Sequence, residues 1–317
     1  MPADVAVLIV TYNSENEISD CLRSVVEQRR SVVQEIVVVD NDSKDRTVET
    51  IRAGFPEVKL VTPGKNLGFA AGVNLAARQS DAKYLLLLNP DTTILDHAID
   101  VVVEFARQHP HYGFYGGRTL KADGRLEPSS CWGLPSLWSL TMFAFGLSTL
   151  AKHNPILDPE SLGSWPRDTV REVGIITGCF LLVERAAWEK LQGFDERYFM
   201  YGEDADLAMR ARKAGYRPVI CPDARLVHEV GKSSATPFHK AILLYRGKAN
   251  YVRVHWSGWR RNLGLLLLAA GVGFRAFGSA VVRSPSDTWR RLWQQRRDWL
   301  RGYFPAPGAP GAARPEA

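Results

Sequence analysis

A mostly parallel α/β sheet with helices on both faces is the fold the sequence predicts, and three observations predict it. Short β-rich apolar runs alternate with amphipathic stretches over about the first ninety residues. Residues 36–39 and 84–88 are apolar throughout, as strands covered on both faces must be. Polar residues directly follow three of the apolar runs, and open sheets of this class bind ligands beyond the carboxyl ends of their strands.

The elements follow in a βαβ rhythm. Residues 5–10 read as a strand, and Ile18, Cys21, Leu22 and Val25 recur at helical spacing before the strand at 36–39. Ser14 with Glu17 reads as a capping box for the first helix, and Ser43 as the N-cap of a second helix carrying Val48 and Ile51. A strand at 58–61, a helix at 69–78 and the strand at 84–88 complete the series. Between 116 and 171, Pro128, Pro135, Pro155, Pro159 and Pro166 interrupt aromatic stretches around Trp132, Trp138 and Trp165, predicting loops and short helices. A strand-like run at 174–183 enters a helix at 186–191 that Gly193 stops, and a helix at 204–213 ends at Gly215.

Composition narrows the function classes. With 317 residues, 45% hydrophobic and 23% charged, the chain can bury a large core and predicts one big domain over residues 1–239 with an appendage over 240–304. The first ten residues carry no basic n-region and only a short apolar run, so a cytoplasmic location is expected. Cys21, Cys131, Cys179 and Cys221 have neither zinc nor redox spacing, and Cys21 and Cys179 fall in core-like patterns. The net charge of +6 is local: 13 Lys and Arg face two Asp between 240 and 301, leaving residues 1–239 at −5. A nucleic-acid binder spreads its basic residues over the folded domain, so nucleic acid is excluded as a partner.

The candidate site residues admit two readings from sequence alone. Thr11-Tyr12-Asn13, Asp40-Asn41-Asp42-Ser43 and Asn89-Pro90-Asp91 end strands, and their residue types suit helix caps as well as ligands. Asn66-Leu67-Gly68-Phe69 reads equally as a turn into a helix. Glu203, Asp204 and Asp206 share one first helical turn, where the macrodipole favours carboxylates whatever their role.

The segments VAVLIVTYNSENEISDCLRSV, EIVVVDNDSKDRTVE, NLGFAAGVNLA, LLLLNPD, ITGCFLLVERAAWEKLQGFDERYFMYGEDADLAMR and HEVGKS, spread in order over residues 5–234, resemble the family 2 glycosyltransferases, particularly their rhamnosyltransferase-like branch. The resemblance implies a GT-A type fold and inverting transfer of a sugar from a nucleotide diphosphate donor to a hydroxyl of a saccharide or polyprenyl-linked acceptor. By the same resemblance, Thr11, Tyr12, Asn13, Asp40, Asn41, Ser43, Asn66 and Gly68 hold the donor, and Thr177 and Gly178 form a loop approaching donor and acceptor. Asp204 matches the aspartate base of a Glu-Asp motif, Glu203 orients the acceptor, and Asp206 has a structural role. Asp91 ends the family's Asp-X-Asp metal motif, whose first position is here Asn89, and His228 matches a His-X-X-Gly-X-Ser element that supplies a second ligand for Mg2+ or Mn2+. The branch implies dTDP-rhamnose as donor. A sugar nucleotidyltransferase would need a glycine-rich basic phosphate loop after the first strand, which is not seen, and a noncatalytic nucleotide-sugar-binding scaffold is the other alternative.

The C-terminal region predicts a surface helix. Residues 262–274 are uncharged, about 20 Å as helix against roughly 30 Å of hydrocarbon, so a membrane span is not expected. Trp289, Leu292, Trp293, Trp299, Leu300 and Tyr303 share one side of a helical wheel, with Arg296 among them and Arg290, Arg291, Arg297 and Arg301 outside. This predicts peripheral attachment to an anionic membrane surface, placing the protein on the inner face of the cell membrane, with packing on the catalytic domain or a homo-oligomer contact as the alternative. Residues 305–317, rich in Pro, Gly and Ala, are expected to be disordered.

Overall fold

The computed structural model describes residues 3–229, 236–283 and 286–303. The expected tail at 305–317 and residues 230–233 of the element after His228 lie outside the described residues. The chain forms two compact units, one of residues 1–132, 166–196 and 207–234, the other of 133–165, 197–206 and 235–317. The second unit thus takes in two segments, 133–165 and 197–206, that precede the basic C-terminal region.

The strands are β1 (Val5–Thr11), β2 (Gln34–Asp40), β3 (Lys59–Val61), β4 (Tyr84–Leu88), β5 (Thr92–Ile94), β6 (Phe114–Leu120), β7 (Cys131–Trp132), β8 (Arg171–Glu172), β9 (Ile175–Ile176), β10 (Phe180–Glu184) and β11 (Val219–His228). The helices are α1 (Ile18–Glu27), α2 (Thr47–Gly54), α3 (Phe69–Ala77), α4 (Ala98–Gln108), α5 (Leu137–Ala144), α6 (Leu147–Leu150), α7 (Arg185–Lys190), α8 (Glu203–Lys213), α9 (Pro237–His255), α10 (Gly258–Val281), α11 (Thr288–Gln294) and α12 (Arg296–Trp299).

Among the described residues the first unit is built on a nine-stranded sheet in the order β3-β2-β1-β4-β10-β6-β11-β5, with β8 paired to β11. Strands β3, β2, β1 and β4 are parallel, as the βαβ rhythm predicts, whereas β10 inserts antiparallel between β4 and β6. The period of two along β1 explains the layering. Val5, Val7 and Ile9 join Ile36, Val38, Leu86 and Leu88 in a core with Ile18, Cys21, Leu22 and Val25 of α1 and Val102, Val103 and Ala106 of α4. Burying each such aliphatic side chain contributes about 1.5–3 kcal/mol. On α3, Gly72 permits close approach to the sheet, because a Cβ there would stand 2.9 Å from Val10 Cγ1.

Two expected caps do not form. No side-chain bond caps α1, and Ser14 instead receives contacts through its backbone, donating its N–H to Thr47 Oγ1 at 2.8 Å. Helix α2 starts at Thr47, whose N–H donates to Asp45, while Ser43 is held by Asp40. At α1 a tertiary partner engages Ser14, whereas at α2 the nearer Asp45 takes the place expected of Ser43. The run at 174–183 is also broken in two, β9 and β10, by the turn at Thr177, where Phe180 N–H donates to Thr177 O.

In the second unit α10 packs on α5, α9 and α11. The aromatic stripe expected to face a membrane turns inward instead. It lies on two short helices rather than one, with Leu292 and Trp299 fully buried. Trp299 Nε1 donates to Leu292 O at 2.8 Å, and its ring stacks 5.6 Å from Tyr245 of α9. Arg296 lies over Trp293 at 4.4 Å. Helix α10 also outruns the uncharged segment: at 24 residues it is long and apolar enough to cross a membrane by length and composition.

Candidate active site

The parallel pairing of β1 with β2 and β4 brings three of the sequence-predicted clusters to one edge of the first unit, because Thr11 pairs with Asp40 and Ile9 with Leu88. Thr11 Oγ1 donates to Asp40 Oδ1 at 3.0 Å, and the Ser43 N–H and hydroxyl donate to Asp40 at 2.9 and 2.5 Å. Asn13 N–H donates to Ser43 Oγ at 2.8 Å, and Asn13 Oδ1 accepts from Lys44 N–H at 2.8 Å. Asp40 is thus buried with three internal donors, of about four that a carboxylate accepts. Tyr12 remains exposed beside this buried cluster.

Asn41 joins the second strand end to the loop before α3. Its Nδ2 donates to Gly68 O at 3.1 Å and its Oδ1 accepts from Leu67 N–H at 3.3 Å. Asn66 Oδ1 accepts from Gly68 N–H at 2.9 Å, and Gly68 has φ +80°, a conformation that favours glycine.

Asp91 and His228, far apart in sequence, meet because β11 pairs antiparallel with β5 and places His228 opposite Thr92. His228 Nε2 stands 3.3 Å from Asp91 Oδ1, an ion pair of two largely buried groups. The other ring nitrogen, Nδ1, is hydrogen-bonded to Ser129 Oγ at 3.0 Å. Burial disfavours the charged ring, but hydrogen bonds and charge from Asp91 and Cys179 outweigh it and push His228 up to about 10. Thr177 Oγ1 donates to Ser129 O at 2.8 Å and lies 3.1 Å from Cys179 Sγ. Gly178 between them is buried.

These residues fit a divalent cation. Two ligands each about 2.1 Å from one ion, at a roughly right angle, stand about 3 Å apart. The bond at Nδ1 turns Nε2 toward the Asp91 oxygen, so that an imidazole nitrogen and a carboxylate oxygen face one point, an orientation typical of ligating histidines. No group of three or more His, Cys, Asp and Glu that could hold a metal occurs among the described residues, so Asp91 and His228 are the two ligands this site offers.

Glu203 and Asp204 belong to the second unit, and the three acidic residues of the first turn of α8 have different surroundings. Asp206 is buried and its Oδ1 lies 2.8 Å from His255 Nε2, also buried. Burial, followed by the charge of Asp204, pushes Glu203 up to about 8, so its carboxyl is mostly protonated at neutral pH. Asp204 alone of the three is partly exposed.

Sequence reasoning missed Ser129, Cys179 and His255, and no local pattern marks them; Cys179 had the single cue of following Thr177-Gly178. It also missed Gly247. Gly202 has φ +101° and its Cβ would stand 2.9 Å from Gly247 Cα, while a Cβ on Gly247 would meet Tyr201 O at 2.2 Å. This glycine pair lets α9 touch the backbone that leads into Glu203. Gly247→Ala is expected to cost about 1–3 kcal/mol, read as a lower Tm. Gly54→Ala, with nothing within 4 Å, serves as the neutral control.

Residues 6–158 match the model of the family described as Glycosyl transferase family 2, and residues 170–233 match that of an N-terminal domain of galactosyltransferase. N-acetylglucosaminyl-diphospho-decaprenol L-rhamnosyltransferase of Mycobacterium tuberculosis is 30% identical over 93% of this chain and 96% of its own length. Rhamnosyltransferase WbbL of Escherichia coli is 25% identical over 75% of this chain and 88% of its own. Among solved structures, mannosyltransferase PcManGT of Pyrobaculum calidifontis, in complex with GDP-Man and Mn2+, superposes with a TM-score of 0.55 at 17% identity, covering 95% of this chain and 85% of that one. TarS 1–349 of S. aureus does so at 0.55 and 17%, covering 93% and 77%. The fold is therefore GT-A, and the likeness to the mycobacterial enzyme runs nearly end to end: the chain belongs to the family 2 glycosyltransferases, in their rhamnosyltransferase branch.

Proposed function

We propose that this glycosyltransferase moves rhamnose from dTDP-rhamnose, with inversion, to a hydroxyl of a lipid-linked saccharide in cell-surface polysaccharide synthesis, working on the cytoplasmic face of the membrane. The observation that carries the reading is the Asp91 and His228 pair at the sheet edge, a hard oxygen and an oriented imidazole set for one cation. The names of two relatives, both rhamnosyltransferases and one acting on a decaprenol-linked diphosphate sugar, support the donor and acceptor class.

When bound, Mg2+ or Mn2+ would neutralise charge on the departing diphosphate. Asp91 and His228 are the residues that would hold it. The Tyr12 ring is the candidate platform for the base, and Asp40 holds Thr11 and Ser43 so that Asn13 is fixed beside it. Asn41 and Asn66 shape the loop at Gly68 for the rest of the donor. Thr177 and Gly178 line the approach, with Thr177 bonded to the same segment that anchors His228.

Asp204 takes the proton from the acceptor hydroxyl. Its partial exposure supports that choice among three carboxylates, since Asp206 and Glu203 are buried and Glu203 is held mostly neutral. A protonated Glu203 can donate to the acceptor and spares Asp204 a second negative neighbour. Thermal shift with a nucleotide-sugar panel plus manganese tests the donor. dTDP-rhamnose is expected to raise Tm most, since a ligand at 100 times its Kd adds about 2.7 kcal/mol. A larger shift with a UDP- or GDP-sugar would overturn the donor assignment. Release of pyrophosphate from a nucleoside triphosphate and a sugar phosphate would instead identify a nucleotidyltransferase.

A further inference from the structure

Helix α10 carries two faces of different fate. Gly264, Leu268, Gly271, Val272, Ala276 and Ser279 are buried, and the tight sites explain why small residues stand there: a Cβ on Gly271 would meet Phe143 at 2.3 Å and one on Gly264 would meet Trp256 at 2.5 Å. On the opposite side Trp259, Leu266, Phe274, Phe277 and Val281 recur at helical spacing, each between 57% and 71% exposed. With Ala270 among them, they form one apolar stripe about 33 Å long.

The only charged side chain between Arg261 and Arg283 is Arg275, and it does not interrupt the stripe. Its guanidinium is turned inward, donating to Phe143 O at 2.7 Å and Thr149 Oγ1 at 2.5 Å and lying 4.0 Å from the Phe143 ring. The turn at Gly146 abuts the Phe274 ring and extends the patch to the exposed Phe145. A groove of about 550 Å3 beside the stripe is walled by Phe274, Phe277 and Trp293, with exposed Arg290 at its rim.

Charge identifies what covers this face. Arg260, Arg261, Arg283 and Arg290 flank the stripe and are exposed, and residues 254–286 contain no Asp or Glu. An apolar face of this length flanked by four exposed arginines, with Asp287 paired to Arg291 at 3.9 Å, complements an anionic bilayer, with the helix lying in the plane of the interface. A second copy of the same face would bring like charges together. Crossing the bilayer would expose the packed glycine face and Arg275 to lipid.

We propose that the outer face of α10, and not the inward-turned Trp stripe of α11 and α12, is the surface by which this enzyme docks on anionic lipid. The proposal rests on the membrane-associated reading above, and its test is independent of sugar transfer. The full chain is sedimented with vesicles of phosphatidylcholine alone or with 30% phosphatidylglycerol added. Binding is expected with the anionic vesicles, falling with salt and released by alkaline carbonate. Leu266→Ser with Phe277→Ser removes side chains that are 64% and 71% exposed, so Tm changes little while partition falls roughly tenfold or more.

Transfer to a water-soluble acceptor is expected to be unchanged in that variant. If wild type binds vesicles but transfers no rhamnose, the donor reading fails and the docking face stands. Three results would overturn the docking face: unaltered vesicle binding by the double variant, retention of the protein in carbonate-washed membranes, or a dimer in sedimentation velocity that the same variant dissociates without any vesicle binding.

Discussion

Asp204→Asn is expected to lower sugar transfer by about 10²–10⁴-fold, the usual contribution of a general base, while the affinity for the nucleotide sugar stays unchanged. The residue is partly exposed in the first turn of α8, between a buried Glu203 and an Asp206 bonded to His255. Asparagine preserves the shape and the helix start but cannot accept the proton. Transfer kinetics measured beside donor binding by calorimetry separate the two effects, because loss of both would signal a disturbed fold. Asp206→Ala is the contrasting variant: it removes the buried partner of His255 and so should lower Tm more than Asp204→Asn does. Near-normal turnover by Asp204→Asn would remove that residue from the chemistry.

Metal removal is expected to be comparably damaging. A cation contributes several kcal/mol of charge stabilisation, so excess EDTA should reduce transfer by about 10³-fold and added Mn2+ should restore it. The pH dependence follows from His228. Without metal its pKa is raised to about 10, so the ring is protonated at neutral pH and a cation must displace that proton. Apparent metal affinity should therefore rise with pH, by up to roughly tenfold per unit below pH 10, and manganese titrations at three pH values read the slope. His228→Ala is expected to weaken binding and flatten that slope. Full turnover in EDTA would show that Asp91 and His228 serve another purpose.

The parallel half of the sheet was legible in the sequence because each strand is a continuous apolar run that ends at polar residues. The same adjacency located Thr11, Asp40 and Asp91 without any tertiary information. The antiparallel half was not. Strand β6 carries Gly116 and Gly117, and β10 enters the sheet between strands distant in sequence. Periodicity carries no signal for which strands will neighbour each other.

The caps and the C-terminal stripe show the limit of local patterns more sharply. Ser14, Ser43 and Glu17 fit a capping rule, yet Thr47 from another element engages Ser14, Ser43 is held by Asp40, and Asp45 accepts the Thr47 N–H of α2 in its place. The wheel drawn through residues 289–303 assumed one continuous helix. The chain breaks near Gln295, and the two pieces turn Leu292 and Trp299 toward Tyr245.

By itself the sequence determined the layered α/β core, the strand ends that gather polar residues, and the concentration of positive charge near one end. Those properties follow from side-chain period and composition, which act within a few residues of one another. Only the tertiary structure decided that His228 stands 3.3 Å from Asp91, that Asp206 is bonded to His255, and that α10 rather than α11 leaves its apolar face uncovered. Each of those outcomes depends on which elements pack together, and burial and pairing between distant segments are set by competition across the whole fold.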